Sequence, residues 1–246
     1  MTELPPEITL LWGVRETPRR GRKPSLTAAD ITRAAIAVAD AEGLAAVSMA
    51  RVAAELGNAT MALYRHVKSK DELLALMTDG ALDPPPVLPG GDWRIGLTTW
   101  SEAIMASFQK HPWYAQVTIS GPPIGPNNLA WFDRGLSALE DTPLEEGEKV
   151  GIVMGLITYL HGELRLSFEL AEGYRENPEA FSRVYAAALR RFVDPREMPA
   201  LAKVVDAGVF DYDTLYDEQD LGADFNFGLN LYLDGIAAYL DRRSST

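Results

Sequence analysis

The chain has 246 residues, 47% hydrophobic and 24% charged, enough to bury a real core as one large or two smaller domains. With no cysteine it can hold neither a disulfide nor a thiolate metal site, and three histidines leave any zinc site dependent on carboxylates. A net charge of −12 argues against a polyanionic partner until it is mapped: residues 10–70 carry ten basic and five acidic side chains, residues 71–246 carry 13 and 28.

The first residues, Met1 to Gly13, contain Glu3, Glu7 and two prolines instead of a basic start ahead of an apolar stretch. They do not read as a signal peptide, and a cytoplasmic location is expected. Residues 1–25 are expected to form a flexible arm, basic over Arg15 to Lys23. Thr27 and Asp30 resemble a capping box, and Ile31, Ala34, Ala35, Val38 and Ala39 recur at helical spacing up to Gly43. A short second helix is predicted over Ser48–Leu56, with Gly57 as its left-handed stop, and a third over Thr60–Val67 with Leu63, the Tyr64 ring and Val67 inward. Ser69 and Glu72 make a second capping box for a helix over Lys70–Leu82. Asp83 and three prolines stop it, and a linker running to Gly90-Gly91 divides residues 26–83 from residues 92–246.

Beyond the linker, Trp93, Leu97, Trp100, Ile104 and Phe108 space a helix that starts at the N-cap candidate Asp92 and stops before His111-Pro112. Further helices are predicted over Asn127–Glu140 and Glu145–Ala171, one more opening at Asn177-Pro178, and a last one striped from Phe225 to Leu240. The longest uncharged run, Val150 to Gly162, is too short for the roughly 20 residues of a membrane span. No strand-like alternation and no internal repeat is found, so the expected fold is all-α.

A helix of about eight residues, a glycine turn and a second short helix form a helix-turn-helix, which places its second helix in the DNA major groove. With Leu63 and Val67 inward, Thr60, Met61, Ala62, Arg65 and His66 are left for that groove. They combine a hydroxyl, an apolar tip for thymine methyls and an arginine for guanine or phosphate. Lys68 and Lys70 sit where phosphates pass, and the preceding arm, with Arg22 and Lys23 at its end, has the composition of a minor-groove or backbone-reaching segment. The acidic remainder does not cancel this, since charges more than about 8 Å apart are largely screened at physiological salt.

Residues Leu26 to Leu82 resemble the N-terminal domain of the TetR family of bacterial repressors. The resemblance is carried by Ala53-Ala54-Glu55-Leu56-Gly57, by Leu63-Tyr64-Arg65-His66-Val67-Lys68-Ser69-Lys70 and by Glu72-Leu73-Leu74. It implies DNA contacts from Ser48, Thr60, Met61, Ala62, Tyr64 (through its hydroxyl on phosphate), Arg65, His66 and Lys70. Asn58 stands where the family usually has a small apolar residue, and Ala50 lacks a longer polar side chain, so the operator sequence does not follow from the resemblance.

His111-Pro112-Trp113, Gly121-Pro122, Phe225 to Leu229 and Leu233-Asp234-Gly235 look like the tetracycline-repressor type of C-terminal domain. That likeness implies a homodimer built on the last long helices and a small-molecule inducer inside the C-terminal bundle. Trp100, Ile104, Phe108, Trp131 and Met154, with polar Thr158, His161 and Arg165, are the candidate lining of a largely apolar cavity for a lipophilic or aromatic ligand. No cofactor or metal is expected: His161 and Glu163 are two apart on a helix and point away from each other. No enzyme is expected either, for lack of a Gly-rich phosphate loop, paired histidines or a G-x-S-x-G elbow. Two other readings use the same helices: an adaptor whose helix-turn-helix contacts protein, and a regulator that activates or answers a protein partner, with Asp211 to Asp224 as a docking loop.

Overall fold

A computed structural model describes residues 6–13, 26–118, 124–177, 184–211 and 221–244. These residues contain helices and no strand, as the periodicity requires. The order is α1 (Pro6–Leu11), α2 (Ala28–Glu42), α3 (Met49–Glu55), α4 (Thr60–Leu63), α5 (Lys70–Gly80), α6 (Trp93–Lys110), α7 (Pro126–Ser137), α8 (Glu146–Glu176), α9 (Tyr185–Phe192), α10 (Pro199–Asp206) and α11 (Leu221–Ser244). None of them is long and apolar enough to cross a membrane.

The chain divides by internal packing into two compact units, Met1–Leu160 and His161–Thr246. In the first unit α5 packs on α2 and also on α7, so the reading helices and α7 are built against one another. Thr27 caps α2 reciprocally with Asp30, and Ile31, Ala35, Val38 and Ala39 turn a fully buried face inward. Leu73 and Met77 of α5 are fully buried, each worth about 1.5–3 kcal/mol of transfer free energy. Trp100, Leu97, Ile104 and Phe108 line the inward face of α6, and Trp131, Leu139, Val153, Leu156 and Leu160 complete the core.

Residues 6–11, inside the segment expected to be a flexible arm, form a helix. Leu10 at its end is buried, α1 packs on α5, and the Trp12 indole N–H donates to the carbonyl of Ile124 at 3.1 Å. The rest of the expected arm, including Arg22 and Lys23, lies outside the described residues, as does the helix start at Pro178. In the second unit α9 and α10 pack together, Tyr185 meets Phe210 edge-on, and Arg190 pairs with Asp211. Phe225, Leu229, Leu233, Ile236 and Leu240 form the buried stripe of α11, at the expected positions.

Candidate nucleic-acid interface

Ser48 caps α3 by accepting from the Arg51 N–H at 3.1 Å. Gly57 then takes φ +62°, a conformation that side chains with a Cβ rarely adopt, and turns the chain toward α4. Val52 and Ala53 of α3, with Leu63 and Val67 around α4, are buried and fix the angle between the two short helices. The regular α4 spans only Thr60–Leu63; residues up to Val67 continue as turns closed by His66 N–H and Val67 N–H to the Leu63 carbonyl, both at 2.9 Å. The shortening follows from the next cap: Lys68 N–H donates to the Glu72 carboxylate, and Ser69 accepts from Glu72 N–H to start α5. The Ser69–Glu72 pair is thus half of a capping box, the glutamate reaching past Ser69 to Lys68.

Of the predicted DNA-facing residues of this segment, Ser48, Met61, Tyr64, Arg65, Lys68 and Lys70 are exposed, while Thr60, Ala62 and His66 are half-buried. Met61 is 72% exposed, an unusual place for a large apolar side chain. Tyr64 differs from expectation: the residue is 41% exposed, whereas Leu63 and Val67 are fully buried.

The charges sort in a way that spacing did not show. Arg51 is clamped between Glu42 at 2.6 Å and Glu55 at 2.9 Å. Those hydrogen bonds hold its guanidinium more firmly protonated than usual and hold the Glu42 carboxyl below the ordinary carboxylate range. Arg33 pairs with Asp30. Arg65, Lys68 and Lys70 have no ion pair among the described residues, so their charge is available to a polyanion.

Three polar joins fasten these helices to the rest of the first unit. The Asp40 carboxylate accepts from the Trp113 indole at 2.7 Å and lies 2.8 Å from His111 Nδ1. The Asp83 carbonyl accepts from the Trp131 indole at 2.6 Å, and the Asp79 carboxylate takes up the start of α7. Acceptors with such distant donors carry no periodic signal and were not anticipated.

The candidate ligand residues differ in burial and fall in both units. Trp100, Ile104, Phe108 and Trp131 share the buried layer of α6 and α7. Met154 is 37% exposed, and Thr158, also exposed, donates its hydroxyl to the Met154 carbonyl within α8. His161 and Arg165 belong to the second unit. Burial holds the His161 imidazole below its ordinary value, whereas Arg165 is exposed and paired with Glu169 at 2.8 Å. Two residues after His161, the Glu163 carboxyl is pushed up by burial and then by the charge of Asp224.

The family model described as "Bacterial regulatory proteins, tetR family" matches residues 31–77, and "Tetracyclin repressor-like, C-terminal domain" matches residues 85–240. The chain belongs to the TetR family. This TetR-family chain is 34% identical over 242 residues to the HTH-type transcriptional repressor DrrR1 of Streptomyces coeruleorubidus, covering 96% of this chain and 86% of that protein. An HTH-type transcriptional regulator of Saccharopolyspora erythraea is 29% identical over 220 residues, with coverages of 88% and 86%. Among solved structures, Streptomyces coelicolor ActR in complex with actinorhodin superposes with a TM-score of 0.74 at 25% identity, covering 89% of this chain and 98% of that one. Apo ActR gives 0.73 at 25% identity, with coverages of 90% and 100%. Its family and these relatives make it a TetR-family DNA-binding transcriptional regulator.

Proposed function

We propose that this protein is a homodimeric, cytoplasmic repressor that sits on a palindromic operator through α4 and leaves it when a lipophilic, apolar or aromatic small molecule binds. One observation carries the DNA half of this reading. Exposed Met61, Tyr64 and Arg65 are set on buried Leu63 and Val67 and flanked by unpaired Lys68 and Lys70, which is the layout a major groove with its bordering phosphates demands. Ser48, Thr60, Ala62 and His66 complete the proposed contacts. The homodimer is supported by the outward apolar side chains of the second unit, Leu166 and Leu170 on α8 and Phe227 and Leu231 on α11, which are between 40% and 67% exposed in the single chain.

Relatives support the ligand half: the solved structures of ActR include complexes with actinorhodin and with (S)-DNPA. In the first unit the α6 and α7 layer of Trp100, Ile104, Phe108 and Trp131 is the proposed seat. Met154 and Thr158 do not belong to that layer, and His161 and Arg165 are separate candidates in the second unit. Two dimer-related α4 helices must be about 34–36 Å apart to enter successive major grooves, so a ligand that changes their spacing lowers affinity.

Selection of bound fragments from random DNA by the full chain, then salt titration of the winner, tests the first half. A palindrome with half-sites a helical turn or a multiple apart is expected, and recovery of no preferred sequence overturns it. Saturating actinorhodin and (S)-DNPA then serve as probes for release. Undiminished operator affinity with both, and with a panel of other aromatic compounds, overturns the ligand half.

A further inference from the structure

Asp79, next to last in α5, is a 5% exposed carboxylate with no cation beside it among the described residues. Its partners are the beginning of α7. The backbone N–H and the side-chain amide of Asn128 both donate to Oδ1 at 2.9 Å, and the backbone N–H of Asn127 donates to Oδ2 at 3.3 Å. The Asn127 side-chain amide donates to the Asp79 carbonyl at 3.0 Å.

Asn127 and Asn128 are the second and third residues of α7, and N–H groups there have no carbonyl partner within their own helix. A negative charge at that end is favoured by the helix dipole. The helix brings no cap of its own, because Gly125 at the N-cap position has no side chain to offer. A Cβ on Gly125 would lie 2.1 Å from Asp79 Oδ1, so the missing side chain is the space the carboxylate occupies. α7 is therefore capped from α5. The charge of Asp79 also reaches the buried Tyr114 hydroxyl, which desolvation and then this carboxylate hold well above its ordinary value.

A buried carboxylate is tolerated only while its hydrogen bonds hold. Movement of α5 past the first turn of α7 by an ångström or so would loosen all three carboxylate bonds together. The other end of α5 is where Ser69 caps the helix and where Lys68 and Lys70 present their charge. At a rise of about 1.5 Å per residue, one stiff helix connects that end with Asp79.

We propose that Asp79 is a positioning residue for operator recognition: by capping α7 it sets the seat of α5, and through α5 the placement of Lys68 and Lys70 on the DNA backbone. The inference rests on the operator-binding reading above. Binding linkage makes it reciprocal, so an operator that biases α5 alters the hydrogen bonding of the first turn of α7.

Residue-resolved amide hydrogen exchange of the full chain, with and without a selected operator duplex, reads this directly. Protection at Asn127 and Asn128 is expected to change severalfold on operator binding, while the middle of α7 at Arg134 and Gly135 stays as it was. In Asp79→Asn one side-chain oxygen is replaced by a donor that faces other donors. That variant is expected to bind operator about tenfold more weakly at physiological salt and with a shallower salt dependence, because phosphate contacts are lost. A purely structural role for Asp79 lowers thermal stability and leaves the salt slope of the folded protein alone. Should Asp79→Asn not fold, Asn128→Ala removes only the side-chain donor and is expected to move the salt slope in the same direction by less. Operator binding with unaltered exchange at Asn127 and Asn128, or with an unaltered salt slope in the variants, overturns the inference and leaves the operator reading intact. Failure of the parent chain to select any operator brings down both.

Discussion

The indole Nε1–H of Trp100 donates to the backbone carbonyl of Trp131 at 2.9 Å, in the core between α6 and α7. Gly135, one turn on from Trp131, makes this possible: a Cβ there would lie 2.9 Å from the Trp100 ring and 3.0 Å from Val153 Cγ1. Trp100→Phe removes the indole hydrogen bond and leaves a void at a fully buried position, an expected loss of about 1–3 kcal/mol in urea unfolding. Gly135→Ala is expected to cost about 1–3 kcal/mol by overpacking. Gly147→Ala, where a Cβ meets nothing within 4 Å, shows no such loss.

The exposed side chains around α4 are expected to divide by role. Arg65→Ala relaxes discrimination at one base pair by about 1–3 kcal/mol, whereas Lys70→Ala weakens all sequences alike and lowers the salt slope by about one. Met61, the most exposed large apolar side chain of the segment, is expected to contact a thymine methyl. Replacing that thymine by deoxyuridine should weaken binding of the parent and leave Met61→Ala indifferent. Competition binding against single-substituted operators separates these outcomes, and equal effects of Arg65→Ala on every base pair would refute the division.

Arg51 lies on the first helix of the motif but is engaged by Glu42 and Glu55. Arg51→Ala is therefore expected to leave the salt dependence of operator binding as it is in the parent. A slope reduced as far as in Lys70→Ala would show that Arg51 abandons its carboxylates for phosphate.

Ser69 accepts from Glu72 N–H at 3.0 Å, and Lys68 N–H is held by the Glu72 carboxylate. Ser69→Ala removes the cap of α5, with an expected cost of about 1 kcal/mol. Operator affinity should fall with it, since the same turn carries Lys68 and Lys70. Thermal melts and binding measured on one preparation test both; a loss of affinity without loss of stability contradicts this account.

His161 is held below its ordinary value of 6.5 because burial disfavours the imidazolium. Between the depressed folded value and 6.5 the unfolded chain binds the extra proton, so this residue's contribution is full above that window and declines as the pH falls through it. Melting temperatures at pH 7.5 and 5.5 should differ more in the parent than in His161→Gln. An equal difference would mean that the imidazole accepts its proton without penalty.

The reading helices were legible in the sequence because each local signal agreed with the next. Thr27 with Asp30, Ser48, Gly57 and Ser69 mark ends, and Ile31, Val52, Leu63 and Leu73 mark the inward face. The candidate DNA-facing residues followed as the complement of that face, and Tyr64, expected to bring its ring inward, is 41% exposed. What escaped depends on distant partners. Whether Arg51 is free or clamped, and what Asp40, Asp79 and Asp83 hold, are settled by contacts that helical spacing does not encode. The exposure of Met154 and Thr158 on α8 escaped for a related reason, since helical spacing does not say which side of a long helix is covered.

The joins at Asp40 and Asp83 bear on how such regulators can be recombined. A chimera that transplants residues 26–83 onto another sensor body carries along the Asp40 carboxylate and the Asp83 carbonyl, each fashioned to receive an indole N–H. Unless the recipient supplies tryptophans at the positions of Trp113 and Trp131, both hydrogen bonds are lost, at roughly 0.5–1.5 kcal/mol apiece. New operator specificity is then obtained with less risk by exchanging the few exposed side chains around α4 than by swapping the domain.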